Sequence, residues 1–256
     1  MKIKFDGTAE YYSKYRPVCP KEVVNYVKDI FRLDRRGVLL DMGCGTGTAT
    51  FPFAKHFEKT LAIDAEQEMI EMAKLIAPKD LNIEWRVMSA NDLTPDIGAC
   101  RLAIACRAFH WFDQDKVLKT LYSTLKQGGG IAIIGDRSFW TNQDDWQKAT
   151  ISVVQKYLGR SRPYESVINN AFAESFEVKL EKHGFKKITT HKIPTMREWN
   201  FESILGYLYS TSFSAKHLYV NNLQKFENEL KTTLNNFNTD DKFIEHNEWT
   251  IHTAHR

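Results

Sequence analysis

The chain has 256 residues, 43% of them hydrophobic and 26% charged, with a net charge of +3. That composition suits one α/β domain with an added cap, or two small domains, and excludes a largely disordered protein. Lysines and glutamates alternate rather than cluster, so no basic arm for nucleic acid is expected and no nucleic-acid partner is predicted. No apolar run reaches the length of a membrane span, and Met1–Gly7 lacks a signal core, so no membrane partner and a cytoplasmic location are expected. Cys19, Cys44, Cys100 and Cys106 form no C-x-x-C pair, which fits free thiols in a reducing compartment. The histidines lack metal-ligand spacing, so no metal site is expected.

The first predicted helix is Pro20–Phe31, with proline at its start and apolar residues at helical spacing. Strands and helices then alternate. The strands are Gly37–Asp41, Thr60–Asp64, Ile83–Met88, Arg101–Cys106 and Gly130–Asp136. The intervening helices are Thr48–Phe57, Glu66–Ile76 and Asp113–Leu125, the last capped by Asp113. This order predicts an α/β, Rossmann-like doubly wound sheet with right-handed crossovers. After Asp136 the pattern changes to helices at Asp144–Leu158, Ala171–His183, Phe201–Ser210 and Leu223–Asn236, with strands at Phe185–Ile193 and Phe243–Thr253. We therefore divide the chain into a Rossmann-like core with an amino-terminal helical lid (1–136) and a region of helical cap insertions and final strands that complete the sheet (137–256). Trp140, Trp146, Trp199 and Trp249 are assigned to core packing.

Gly37-Val38-Leu39-Leu40-Asp41-Met42-Gly43-Cys44-Gly45-Thr46-Gly47 is an apolar strand ending in an acid and a loop with glycine at alternate positions. Glycine permits positive φ and close approach of a ligand, here at the carboxyl end of a strand and before a helix. The spacing is G-x-G-x-G, with Thr48 where a dinucleotide fingerprint has its third glycine, which argues against a dehydrogenase. Asp41 is either a ligand contact or a turn-capping carboxylate. Asp64 ends the next strand and has two acceptor oxygens for a pair of hydroxyls, or it caps the following helix.

Asp-x-Gly-Cys-Gly-Thr-Gly after a strand resembles motif I of the class I S-adenosylmethionine-dependent methyltransferases. Tyr12-Ser13-Lys14-Tyr15-Arg16-Pro17, Ala108-Phe109-His110-Trp111-Phe112 and Leu125-Lys126-Gln127-Gly128-Gly129-Gly130 are similar to the small-molecule branch that includes trans-aconitate methyltransferase, with its type 11 methyltransferase domain. The likeness covers roughly Thr8 to Asp136. It implies S-adenosyl-L-methionine as cofactor and S-adenosyl-L-homocysteine as product. It also implies a seven-stranded sheet with an antiparallel carboxyl-terminal hairpin, the last strand lying beside the fifth.

The resemblance distributes the cofactor along the strand ends. Gly43, Cys44, Gly45 and Gly47 fall at its amino-acid end and ribose, with Asp41 toward the ammonium. Asp64 takes the ribose hydroxyls, and Ala65 and Met69 line the adenine. Ala90 and Asn91 match adenine-holding positions, although the family often has Glu where Asn91 stands; a plain Asx turn is the alternative. Cys106 and Ala108 flank the point where the methyl group emerges. Tyr15 and Arg16 close over the cofactor, Arg16 toward its carboxylate. His110 is the candidate general base or orienting group, or else a packing residue. Phe109, Trp111 and Tyr207 are candidate acceptor contacts.

The reading is methyl transfer by in-line displacement to an O, N or C nucleophile of a small molecule, either a carboxylate or a secondary metabolite. The loop Cys106–Trp111 lacks the Asn/Asp-Pro-Pro-Tyr/Phe of adenine and amide methyltransferases and the Pro-Cys of cytosine ones. The alternatives are an RNA or protein methyltransferase, or a cofactor-binding protein without catalysis. A carboxylate acceptor would want a cation in the cap, where Arg137, Arg160, Arg162 and Arg197 are available. The oligomeric state is not readable.

Overall fold

A computed structural model describes residues 7–137, 139–140, 144–159 and 173–256. Its centre is a seven-stranded sheet of order β3-β2-β1-β4-β5-β7-β6. The strands are β1 (Val38–Met42), β2 (Lys59–Asp64), β3 (Ile83–Val87), β4 (Cys100–Cys106), β5 (Leu125–Asp136), β6 (Lys186–Trp199) and β7 (Phe243–His255). The first five pair in parallel, with Leu40 opposite Leu61 and Ala103, and β6 and β7 form the antiparallel hairpin. The order reverses beside β1, which puts the end of β1 at the switch point where open α/β sheets take ligands.

The described helices are α1 (Ala9–Tyr15), α2 (Lys21–Phe31), α3 (Thr50–Ala54), α4 (Gln67–Ile76), α5 (Gln114–Thr124), α6 (Asp145–Leu158), α7 (Phe176–Lys182), α8 (Phe201–Tyr209) and α9 (Leu223–Asn235). Asp113 caps α5 as expected, its carboxylate accepting from Lys116 N. Four expected spans change. The helix read as Thr48–Phe57 shortens to α3, because the chain must turn at once to start β2, and Glu58 N donates to Gly37 O. The strand read from Gly130 begins at Leu125. A Cβ on Gly129 would lie 2.3 Å from Arg101 O, and one on Gly130 2.1 Å from Ala254 O, so glycine lets the neighbouring backbones close in. β6 runs past Pro194, which an edge strand tolerates because no partner needs its N–H. α7 starts at Phe176, where Ser175 accepts from Val178 N; the earlier part of the helix read from Ala171 includes residues 171–172, outside those described.

The described chain forms two compact units. One comprises 17–135, 173–193 and 250–256, and the other 7–16, 136–159 and 194–249 within the described residues. The first is built on the core of Leu40, Met42, Leu61, Ile63, Ala103, Ala105, Leu118, Leu121 and Ile131, each at most 3% exposed. These apolar runs are covered on both faces, as parallel strands require. The second unit is aromatic. Phe139, Trp140, Trp146, Trp199, Tyr207, Tyr219 and Phe226 are buried together, and Trp249 is buried as well. The four tryptophans assigned to the core are thus all at most 9% exposed.

Candidate active site

The carboxyl ends of β1, β2 and β4 carry the candidate groups of the first unit. Gly43, Gly45 and Gly47 have φ of 68°, 53° and 93°, so the loop after β1 uses the left-handed region three times. The loop is tied to β2 through its backbone: Gly43 N and Cys44 N both donate to Ile63 O, at 2.8 and 3.0 Å. A Cβ on Gly43 would stand 2.5 Å from the Ala108 Cβ, so the loop after β4 is pressed onto the glycine loop there.

Two carboxylates sit at this turn. Asp41 is completely buried; its Oδ2 accepts from Thr50 Oγ1 at 2.6 Å, and its Oδ1 has no hydrogen-bond partner among the described residues. Burial pushes its pKa up from 3.8 to about 7, against the Thr50 bond, and the nearby Asp64 charge adds to the rise. No cation contributes. Asp64 Oδ2 accepts from Gly45 N at 2.8 Å and Oδ1 from Glu66 N at 2.9 Å, so Asp64 braces the glycine loop against the start of α4. Burial raises its pKa too, opposed by the backbone N–H groups of Glu66, Gly45 and Ala65. The hydroxyl of Thr46, in the loop itself, is also buried and without a hydrogen-bond partner among the described residues. Unmatched buried polar atoms are uncommon and costly, and sequence reasoning gave Thr46 no role.

The remaining strand-end candidates divide. Met69 is buried and Ala65 exposed. Ala90 is buried in a short turn whose Ser89 Oγ accepts from Asn91 N. Asn91 Oδ1 accepts from Asp113 N at 2.8 Å, so its carboxamide oxygen is committed to the start of α5. Cys106 is half-buried rather than enclosed. All four cysteines are free. Ala108 is buried beneath the glycine loop.

Arg107 has φ of 56°, its N–H donates to Ile134 O, and its Nη1 donates to Pro17 O at 2.9 Å. An arginine carries no sequence signal for left-handed backbone, so this turn was not foreseeable. It is followed by the short turn Phe109–Trp111. His110 is half-buried beside Trp111, ring centroids 4.7 Å apart, and burial lowers its pKa from 6.5 to about 4. Phe109, a candidate acceptor contact, is a buried ring. It is 2% exposed and packs edge-on against Phe112 and Phe176, anchoring the turn in the core.

Tyr15, Arg16 and Tyr207 meet in the second unit. The Arg16 guanidinium lies 4.9 Å from the Tyr12 ring and 4.8 Å from the Tyr207 ring, and its Nε donates to Ser210 Oγ at 2.9 Å. Tyr15 OH donates to Glu202 Oε1 at 2.7 Å, and Arg197 Nη2 donates to the Tyr15 carbonyl at 3.1 Å. Arg197 also stacks on Trp199, 3.6 Å from its ring centre. Arg137 N donates to Glu248 O and Asn247 Oδ1, while Arg160 and Arg162 lie outside the described residues. Among the described residues no group of three or more metal-binding side chains converges, and no helix is long and apolar enough to cross a membrane.

A switch-point glycine loop on a seven-stranded sheet with an antiparallel final hairpin defines the class I methyltransferase architecture. Residues 39–129 match the methyltransferase domain family, and together with the relatives this supports an S-adenosylmethionine-dependent methyltransferase enzyme. An uncharacterized methyltransferase-like protein of Schizosaccharomyces pombe is 29% identical over 210 residues, covering 80% of this chain and 76% of its own length. A provisionally named S-adenosylmethionine-dependent methyltransferase of Saccharomyces cerevisiae is 28% identical over 130 residues, covering 48% of this chain and 43% of its own. Among solved structures, a provisionally named type II methyltransferase of Anaeromyxobacter dehalogenans aligns with a TM-score of 0.63 at 21% identity, over 94% of this chain and 97% of its own.

Proposed function

We propose that this enzyme transfers a methyl group by in-line displacement to an O, N or C nucleophile of a small-molecule acceptor, in the manner of the trans-aconitate methyltransferase branch. The observation that carries the cofactor assignment is the pair of a fully buried Asp41 and a half-buried Asp64 at the glycine loop, with no cation among the described residues balancing the charge of Asp41. Such a site repels the pyrophosphate of a dinucleotide and suits a ligand bearing an ammonium and a sulfonium. Asp41 Oδ1 and Thr46 Oγ1 are the unmet polar atoms beside it.

S-adenosylmethionine, when bound, supplies a methyl group that its positive sulfur already makes electrophilic. The chain then has three tasks. Asp41, the amides of the glycine loop and Asp64 bind and orient the cofactor; Asp64 reaches the ribose hydroxyls with lone pairs its two backbone bonds leave over. Ala65, Met69, Ala90 and Asn91 bound the adenine. Positioning of the acceptor lowers the barrier, by about 7–11 kcal/mol in well-aligned cases.

His110 stays neutral at pH 7, because burial holds its pKa near 4. A base that weak is poorly matched to storing a proton at neutral pH. It serves instead as a hydrogen-bond acceptor that orients the nucleophile, with Trp111 beside it. Within the second unit Tyr15, Arg16 and Tyr207 lie together, and Arg197 is the described cation we propose for a carboxylate acceptor. The even charge distribution, +3 over 256 residues, gives the RNA alternative little support.

The test is calorimetric titration with S-adenosylmethionine, S-adenosylhomocysteine and NADH, repeated on Asp64→Asn. Micromolar binding of the two S-adenosyl ligands, weakened in the variant, is expected. Binding of NADH alone would overturn the cofactor, and binding of the S-adenosyl ligands with no methylated product from any small acid or metabolite pool would favour the non-catalytic alternative.

A further inference from the structure

The turn that carries His110 is held from behind by side chains that no motif contains. Phe109 O accepts from Gln114 Nε2 at 3.3 Å, and Gln114 is 5% exposed at the first position of α5. Gln114 Oε1 in turn accepts from Lys179 Nζ. Lys179 comes from α7 and is 8% exposed. It is unusual for a lysine to be so enclosed, because taking an ammonium out of water is costly.

The direction of these bonds is dictated by chemistry. An ammonium has three donors and no acceptor, so it can meet only the oxygen end of a carboxamide. With the oxygen held by Lys179, the nitrogen end must point the other way, toward the Phe109 carbonyl. Without that constraint the amide could turn, setting its oxygen against the carbonyl oxygen and releasing the turn. The Phe109 ring, buried against Phe112 and Phe176, fixes the other side of the same residue. Asp113 N, bonded to Asn91 Oδ1, fixes the chain just beyond Trp111.

We propose that Lys179 and Gln114 are positioning residues, Lys179 orienting the Gln114 amide and Gln114 aiming the Phe109–Trp111 turn that presents His110 to the acceptor. The last clause rests on the methyl-transfer reading above; the relay itself does not. Neither residue touches cofactor or acceptor.

The test reads His110 directly, by proton NMR titration of its imidazole in the whole protein. The wild type is expected to titrate near pH 4, as burial of the ring dictates. Gln114→Glu keeps a partner for Lys179 but has no N–H for Phe109 O. The turn should loosen, and His110 should titrate higher by about one pH unit or more, toward an ordinary imidazole. Lys179→Met should move it the same way, and Lys179→Arg, which still only donates, should restore wild-type behaviour.

A Gln114→Glu protein that melts like the wild type and leaves His110 titrating as in the wild type would overturn the relay. If Gln114→Glu fails to fold, the Lys179→Met and Lys179→Arg pair decides: equal titration in both would overturn it. S-adenosylhomocysteine titration of the wild type runs alongside. Absence of binding there sinks the methyl-transfer reading while the NMR result still judges the relay.

Discussion

Asp41 and Glu245 are both buried carboxyls, 0% and 3% exposed, and burial pushes the pKa of each upward. Their surroundings differ. Glu245, in the aromatic unit, has both oxygens in use: Oε1 accepts from Gln147 Nε2 and Asn247 Nδ2, and Oε2 accepts from Trp199 Nε1 at 2.8 Å. Asp41, at the glycine loop, has one oxygen on Thr50 and the other without a hydrogen-bond partner among the described residues. Burial and a raised pKa therefore do not by themselves mark a site. The unmet oxygen is what separates Asp41 from Glu245, and it is the atom on which our cofactor proposal rests.

The largest effect should come from closing the glycine loop. Gly43→Ala puts a methyl group 2.5 Å from the Ala108 Cβ at a residue with φ of 68°. Neither the methyl of Ala108 nor the backbone can swing aside. Strain from the left-handed conformation adds roughly 1–2 kcal/mol and overpacking about 1–3 kcal/mol. S-adenosylhomocysteine binding should be lost by calorimetry and the melting temperature should fall. An unchanged affinity would show that the loop is not the cofactor cradle.

Next are paired substitutions of the two carboxyls, which should have opposite signs. Glu245→Leu strands the N–H groups of Trp199 and Gln147, each costing about 1–3 kcal/mol when buried without a partner. Asp41→Asn should instead stabilise the ligand-free protein above neutral pH. Its folded pKa, about 7, lies above the unfolded 3.8, so the folded state holds the extra proton between those values. The stability contributed by Asp41 is thus present at low pH and lost as pH rises from about 4 through 7. Denaturant midpoints across that window should slope downward for the wild type more than for Asp41→Asn. The same substitution should weaken S-adenosylhomocysteine binding. A variant that loses stability and keeps affinity would make Asp41 a structural carboxyl like Glu245.

The parallel half of the sheet was legible in the sequence because its strands are short apolar runs between turn residues, and Asp41 and Asp64 were legible because each ends such a run. The glycine spacing was legible as a loop needing positive φ, which Gly43, Gly45 and Gly47 adopt. What was not legible depends on partners far along the chain. α1 reads only as an aromatic segment, since its helix is held by tertiary contact: the Tyr15 ring covers Gly206, where a Cβ would lie 2.2 Å away, and Tyr11 meets Tyr209 edge-on at 5.4 Å. The burial of Phe109 was not legible because a turn of three residues has no periodicity to say which ring points inward. Gln114 and Lys179 look like ordinary surface residues of amphipathic helices, and only the packing of α7 on α5 buries them.

Glu177 gives the smallest expected effect and serves as the exposed control for both buried carboxyls. Burial would push its carboxyl up, but Thr190 Oγ1, a backbone N–H and His252 outweigh it and draw the pKa down from 4.5 to about 2. His252 Nδ1 lies 2.8 Å from Glu177 Oε1, and the Glu177 side chain is 40% exposed. Water and salt screen such a pair, so it is worth under about 1 kcal/mol. The sign is opposite to that of Asp41: a depressed folded pKa contributes stability above the unfolded value of 4.5 that is lost as pH falls through 2. Glu177→Gln should therefore lower the denaturant midpoint slightly at pH 7, less so in high salt, and leave S-adenosylhomocysteine affinity unchanged. A loss as large as that of Glu245→Leu would mean that exposure is no guide to how much a carboxylate contributes here, and the contrast between Asp41 and Glu245 would lose its physical basis.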